Sequence, residues 1–127
     1  MPDCDVCLYG YDGDVEFFYE RQRIARRPHE CYDGCGTTIQ PGVLYFQVGG
    51  KCEGYFWHGS ICRLCREIGD VFAYGNGRTY GNLWEEIEEV IFPDLTVRSP
   101  CFNKLGLEAR GFVTERWWNW KERHASS

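Results

Sequence analysis

Long apolar runs are missing from this sequence, and so is an excess of positive charge. The first absence excludes a membrane-spanning helix, which needs about 20 consecutive, mostly apolar residues. The N-terminal stretch Met1-Pro-Asp-Cys-Asp is acidic and lacks the apolar segment of a secretory signal, so a soluble, cytoplasmic protein with no membrane partner is expected. The second absence weighs against broad coating of nucleic acid. The chain has 14 Lys and Arg against 19 Asp and Glu, a formal charge of -5, whereas phosphate binding is driven by positive charge. Internal repeats and low-complexity segments are absent too. So is any grouping of acid, base and nucleophile that points to a cleft, and neither an enzyme nor a small-molecule substrate is expected.

What the chain does have is cysteine, aromatic side chains and glycine. Aromatics make up 17% of the residues and hydrophobic residues 43%, enough for one domain spanning residues 1–127 to bury a real core. The 15 glycines and the short strand-like segments predict that a metal adds needed stability. In a reducing compartment the eight cysteines are read as metal ligands rather than disulfides.

The most specific signal is Cys31-Tyr-Asp-Gly-Cys35 followed, after a hairpin-sized segment, by Cys62-Arg-Leu-Cys65. A tetrahedral zinc needs four soft ligands converging on one point. Each close pair supplies two thiolates from one turn, and the segment between folds back to join them. Val43–Val48 and Gly54–His58 read as strands, with Gly49-Gly50-Lys-Cys52-Glu as their turn. A helix is predicted from Ser60 as N-cap to Tyr74, with Cys62 and Cys65 in its first turn and Ile61, Leu64, Ile68, Val71 and Phe72 as its apolar stripe. Knuckle, hairpin and helix in this order define an α+β fold of treble-clef type over residues 29–74, holding a closed structural zinc at Cys31, Cys35, Cys62 and Cys65.

The flanks are less specific. Residues 1–28 hold a second knuckle, Cys4-Asp-Val-Cys7, and an extended segment from Val15. A second metal site is expected from Cys4, Cys7 and Cys101, completed by His29 or Cys52; the competing reading makes Cys52 and Cys101 buried small hydrophobes. Arg21, Arg23, Arg26 and Arg27 form the one dense basic patch, either a solvated face paired with nearby acids or a contact for phosphate or an acidic protein surface. Residues 82–123 read as a two-helix extension. Asn82 caps the first helix, which has Leu83, Trp84, Ile87, Val90 and Ile91 on its stripe, and Phe92-Pro93 ends it. The second runs from Asn103 to Arg123, with Leu105, Ala109, Phe112, Val113, Trp117 and Trp120 on one side. Trp118 points away from that side, as an anchor for a partner or as a residue packed under the N-terminal segment.

Taken together, Arg26-Arg27-Pro28-His29-x-Cys31, Cys35-Gly36-x-x-Ile39-x-Pro41-Gly42-x-x-Tyr45, Cys62-x-x-Cys65 and Tyr80-Gly-x-Leu83-Trp84 resemble small treble-clef zinc proteins of bacteriophages and prophages, mostly of unassigned function. The first knuckle is one residue longer than the usual Cys-x-x-Cys. The hairpin is also similar to fingers of the LIM and poly-ADP-ribose-polymerase types, where a His just before a cysteine can be a ligand; here His58 stands four residues before Cys62. HNH nucleases share the treble clef, but their catalytic Asp-His pair has no counterpart here. The resemblance implies a phage accessory protein, a zinc-stabilised protein-binding module that inhibits or redirects a host or defence protein. The alternative is a nucleic-acid-binding finger that uses Arg21 to Arg27 and the hairpin aromatics.

Overall fold

The computed structural model describes residues 15–52, 54–73 and 80–125. Its centre is a three-stranded antiparallel sheet in the order β1 (Val15–Ile24), β4 (Leu44–Cys52), β5 (Tyr55–Cys62). Two short strands, β2 (His29–Glu30) and β3 (Thr38–Ile39), pair with each other beside it. The helices follow: α1 (Arg63–Ala73), α2 (Leu83–Glu86) running on into a π-helical turn at Ile87–Ile91, α3 (Pro100–Lys104) and α4 (Leu107–Ala125).

Side chains alternate along each strand, so the register sorts them onto two faces. On the inner face Val48, Phe46 and Ile61 are buried, and Arg66 of α1 reaches down to pair with Glu20 and to lie 4.5 Å from the centre of the Phe46 ring. On the outer face Phe17, Tyr19, Arg21 and Arg23 stand beside Lys51, Gly49, Gln47 and Tyr45 of β4. The strand expected from Val15 therefore forms, but β4 and β5 run longer than their periodicity indicates. Gly49 and Gly50 lie inside β4 instead of in the turn. Each allows a close approach: a Cβ on Gly49 would sit 2.6 Å from the Tyr19 hydroxyl, and one on Gly50 2.3 Å from the carbonyl oxygen of Phe17.

Strand passes straight into helix at Cys62–Arg63, so Ser60 pairs with Gln47 in the sheet and does not cap α1, and Cys62 closes β5 while Cys65 lies in the first turn of α1. The inward stripe of α1 holds, with Ile68 and Phe72 fully buried. Asn82 makes no side-chain cap; its amide donates to the Glu86 carboxylate at 3.2 Å. The backbone bond from Phe92 N–H to the Ile87 carbonyl, five residues back, marks the π turn, and Pro93 ends the helix.

The last helix is two. Leu105 is extended (ψ 143°), and the N–H of Gly106 donates to Glu67 of α1 at 2.7 Å, anchoring the break. The expected inward stripe survives it: Leu105, Ala109, Val113 and Trp117 are buried and Phe112 and Trp120 pack against the core. These helices are no appendage. Buried residues from Ala25 to Trp117 form one cluster, in which Trp84 and Phe102 lie with Cys65 and Ile68. Among the described residues no helix is long and apolar enough to cross a membrane.

Candidate metal centre

Cys31 and Cys35 sit in the loop between β2 and β3. The two-residue ladder closes that loop, and Gly34 (φ 82°) and Gly36 (φ 81°) give it the left-handed turns that a β-carbon disfavours. The N–H of Cys31 donates to the Thr37 carbonyl and that of Gly34 to the Cys31 carbonyl. The extra residue of this knuckle is put to use. Asp33, 1% exposed, accepts the N–H of Gly81 at 3.0 Å, tying the knuckle to the entry of α2. Tyr32 lies across Gly59, where a Cβ would come within 2.3 Å of its ring, and stacks nearly parallel to Trp57.

The four sulfurs of Cys31, Cys35, Cys62 and Cys65 all lie within 4.8 Å of one another, and all four residues are buried. Cys35 and Cys62 Sγ are 3.8 Å apart. Four sulfurs held tetrahedrally about 2.3 Å from a zinc ion would be about 3.8 Å apart, so the spacing fits the ion. Each sulfur also accepts one N–H: Cys31 from Cys62 N, Cys35 from Thr37 N, Cys62 from Cys65 N, and Cys65 from the indole of Trp84 at 3.2 Å. Such bonds orient thiolates and spread their charge. Contact with Cys31 pushes the Cys35 thiol down and the Cys65 thiol up. Crowded buried sulfurs cannot all be ionised by themselves, and a divalent cation among them removes that conflict.

Trp84 and Arg116 belong to the site although ligand spacing does not point to them. Arg116 lies 4.7 Å over the Trp84 ring and donates to the Cys35 carbonyl, so α4 braces both the indole and the knuckle. Only the helical spacing of Phe112 and Arg116 in the sequence hints at this, since the Arg116 guanidinium also covers the Phe112 ring.

The second metal site fares differently. Cys101 is fully buried in α3 and disulfide-bonded, so its sulfur is not a free thiolate for a metal, and the eight cysteines are not all thiols as expected. His29 stacks on Tyr45 with ring centres 4.9 Å apart and joins no metal-ligating group among the described residues. Cys4, Cys7 and the side chain of Cys52 lie outside the described residues. His58 is exposed in the middle of β5 and joins no metal-ligating group among the described residues.

Arg21 and Arg23 project from the outer face of the sheet, and Arg26 and Arg27 follow in the bend after β1, all exposed. None forms an ion pair with a described carboxylate, against the reading of a self-neutralised face. Arg23 donates to the Gln47 amide oxygen at 2.8 Å and Arg21 lies 5.3 Å over the Tyr19 ring. Trp118 is 58% exposed on α4, outside the described core.

Compared with known proteins, the chain matches no family profile, no curated protein and no solved structure. The chemistry of the site therefore rests on its own geometry.

Proposed function

We propose that the protein is a zinc-stabilised binding module of treble-clef form, in which one structural zinc pins the knuckle to the root of β5 and α1 and the outer face of the sheet takes a macromolecular partner. The observation that carries the reading is the closed thiolate cluster. Four buried sulfurs within 4.8 Å of one another, each also accepting an N–H, would fill a tetrahedral shell and leave no ligand position for water or substrate, which a catalytic zinc needs. The fold supports the second half of the reading by leaving Phe17 and Phe56 exposed beside arginines that no described acid neutralises.

Metal analysis combined with affinity capture tests this. One zinc per chain bound by the cluster, loss of fold on chelation, and capture of a partner that Phe56→Ala abolishes are expected. A folded, metal-free protein that still captures its partner would overturn the reading, as would zinc-dependent turnover that chelation removes with the fold intact. A second reading places a host or defence protein on α4, and the exposure of Trp118, with Lys121 Nζ 5.1 Å from its ring, favours it. There, Trp118→Ala removes the capture and Phe56→Ala does not.

A further inference from the structure

We propose that the partner of the outer sheet face is single-stranded nucleic acid, its backbone along the arginines and its bases on the exposed aromatics. The proposal rests on the reading of that face as a binding surface and names what it binds.

The charge of the face complements a polyanion. The chain carries a net charge of -5, yet Arg21, Arg23 and Lys51 share the outer face, and Arg26 and Arg27 continue past its end. Glu20 projects from the opposite face of β1 and is held by Arg66, 2.8 Å away. Arg21, Arg23, Arg26 and Arg27 pair with none of the described carboxylates, and such a cluster of unpaired arginines inside an acidic protein is matched to a polyanion.

The shape of the aromatics complements bases. Phe56 is 73% and Phe17 47% exposed, a tilted pair with ring centres 6.0 Å apart at the end of the face away from the zinc. Tyr19 lies over Gly49, a position that a β-carbon would close, so its ring rests flat against the strand with Arg21 above it. Every base has a π face, so the exposed rings of Phe17 and Phe56 stack on bases without needing a particular sequence, while Tyr19 holds Arg21 up toward the backbone. From Phe17 to Arg23 the strand spans about 20 Å. Sheets in known single-strand-binding modules stack about two or three bases. A groove of about 670 Å³ lined by Arg23, Arg26, Arg27, His29 and Tyr45 continues the track toward the metal-bearing knuckle. Stacking requires unpaired bases, so a duplex fits this face poorly.

Fluorescence anisotropy with labelled oligothymidylate, oligouridylate and a DNA duplex of equal length tests the proposal on the zinc-loaded protein. Either single strand should bind in preference to the duplex, and the tighter of the two names the polymer. With four phosphate contacts, a fourfold rise in salt should weaken binding about 50-fold. Phe56→Ala should weaken it about tenfold without changing the salt slope. Replacing Arg21 and Arg23 together by Ala should reduce the slope by about 1.4. All these side chains are exposed, and an unchanged melting temperature confirms each variant is folded. Failure of folded, zinc-loaded protein to bind either strand at low salt, equal affinity for the duplex, or indifference to Phe56→Ala overturns the proposal. If no oligonucleotide binds but a protein is captured in a nuclease-resistant, Phe56-dependent way, the nucleic-acid assignment falls and the binding-module reading stands.

Discussion

The two halves of the molecule use the same residue types in opposite ways. In the helical half three arginines sit in ion pairs: Arg63 with Glu108, Arg66 with Glu20 and Asp70, Arg123 with Glu88. On the outer sheet face Arg21, Arg23, Arg26 and Arg27 have none among the described carboxylates. The helical half buries most of its aromatics, whereas three at the far end of the sheet do not pack against the core. Trp84, Phe72, Phe92 and Trp117 are buried, while Phe17, Tyr55 and Phe56 stand in solvent. A side chain with a partner inside the chain contributes to folding; one without is available to something else. The four-cysteine cluster sits where the halves meet, with Cys62 at the end of the sheet and Cys65 in the helix.

The largest effect should come from breaking that junction. Cys62→Ser removes a ligand from a site whose metal binding, by comparison with zinc-finger peptides, is worth on the order of 10 kcal/mol of folding free energy. Loss of zinc and of both helical and strand circular dichroism is expected. A native spectrum without metal would show that the halves do not depend on their junction.

Trp84→Ala comes next. It removes a buried side chain (4% exposed) and the N–H that Cys65 accepts. Truncating a buried aromatic costs about 3–5 kcal/mol, and losing an outer-shell donor weakens metal binding about tenfold or more. Denaturant titration and a competitive zinc chelator measure the two separately. If stability falls and zinc affinity does not, the indole is packing alone.

Exchanging arginines sharpens the contrast between the halves. Arg66→Ala loses the pair with Glu20 and the contact with Phe46; both are partly solvated, so about 1 kcal/mol is expected. Arg23→Ala on the other face should change stability by less than about 0.5 kcal/mol. Equal losses in thermal melts would mean that the outer arginines also serve the fold. Smallest is Trp118→Ala, which on the same grounds should leave the melt within about 0.5 kcal/mol of the parent; a larger drop would place Trp118 in the core.

The four cysteines that cluster were legible in the sequence because spacing is a local property. Cys31-x-x-x-Cys35 and Cys62-x-x-Cys65 each fit one turn, and four thiolates have one common use. The inward stripes of α1 and of the last helix were legible for the same reason, since a 3.6-residue period needs no knowledge of the partner. Local rules misled where a distant neighbour decides. Gly49-Gly50 has the composition of a turn, yet β1 crosses just there and needs the space its missing side chains leave. Ser60 resembles a cap, yet its place in the ladder opposite Gln47 is fixed by β4. The break at Leu105–Gly106 depends on Glu67, far away in sequence.

By itself, then, the sequence determined which cysteines pair off in close turns, the amphipathic faces and the alternation of β1, all of which arise within a few residues along the chain. Only the tertiary structure decided that Trp84 and Arg116 brace the cluster, that Cys101 is not a free thiolate, and that Arg21, Arg23, Arg26 and Arg27 pair with none of the described carboxylates. Ion pairing depends on which face of a strand a residue takes and on what packs against that face, and no spacing along the chain records either.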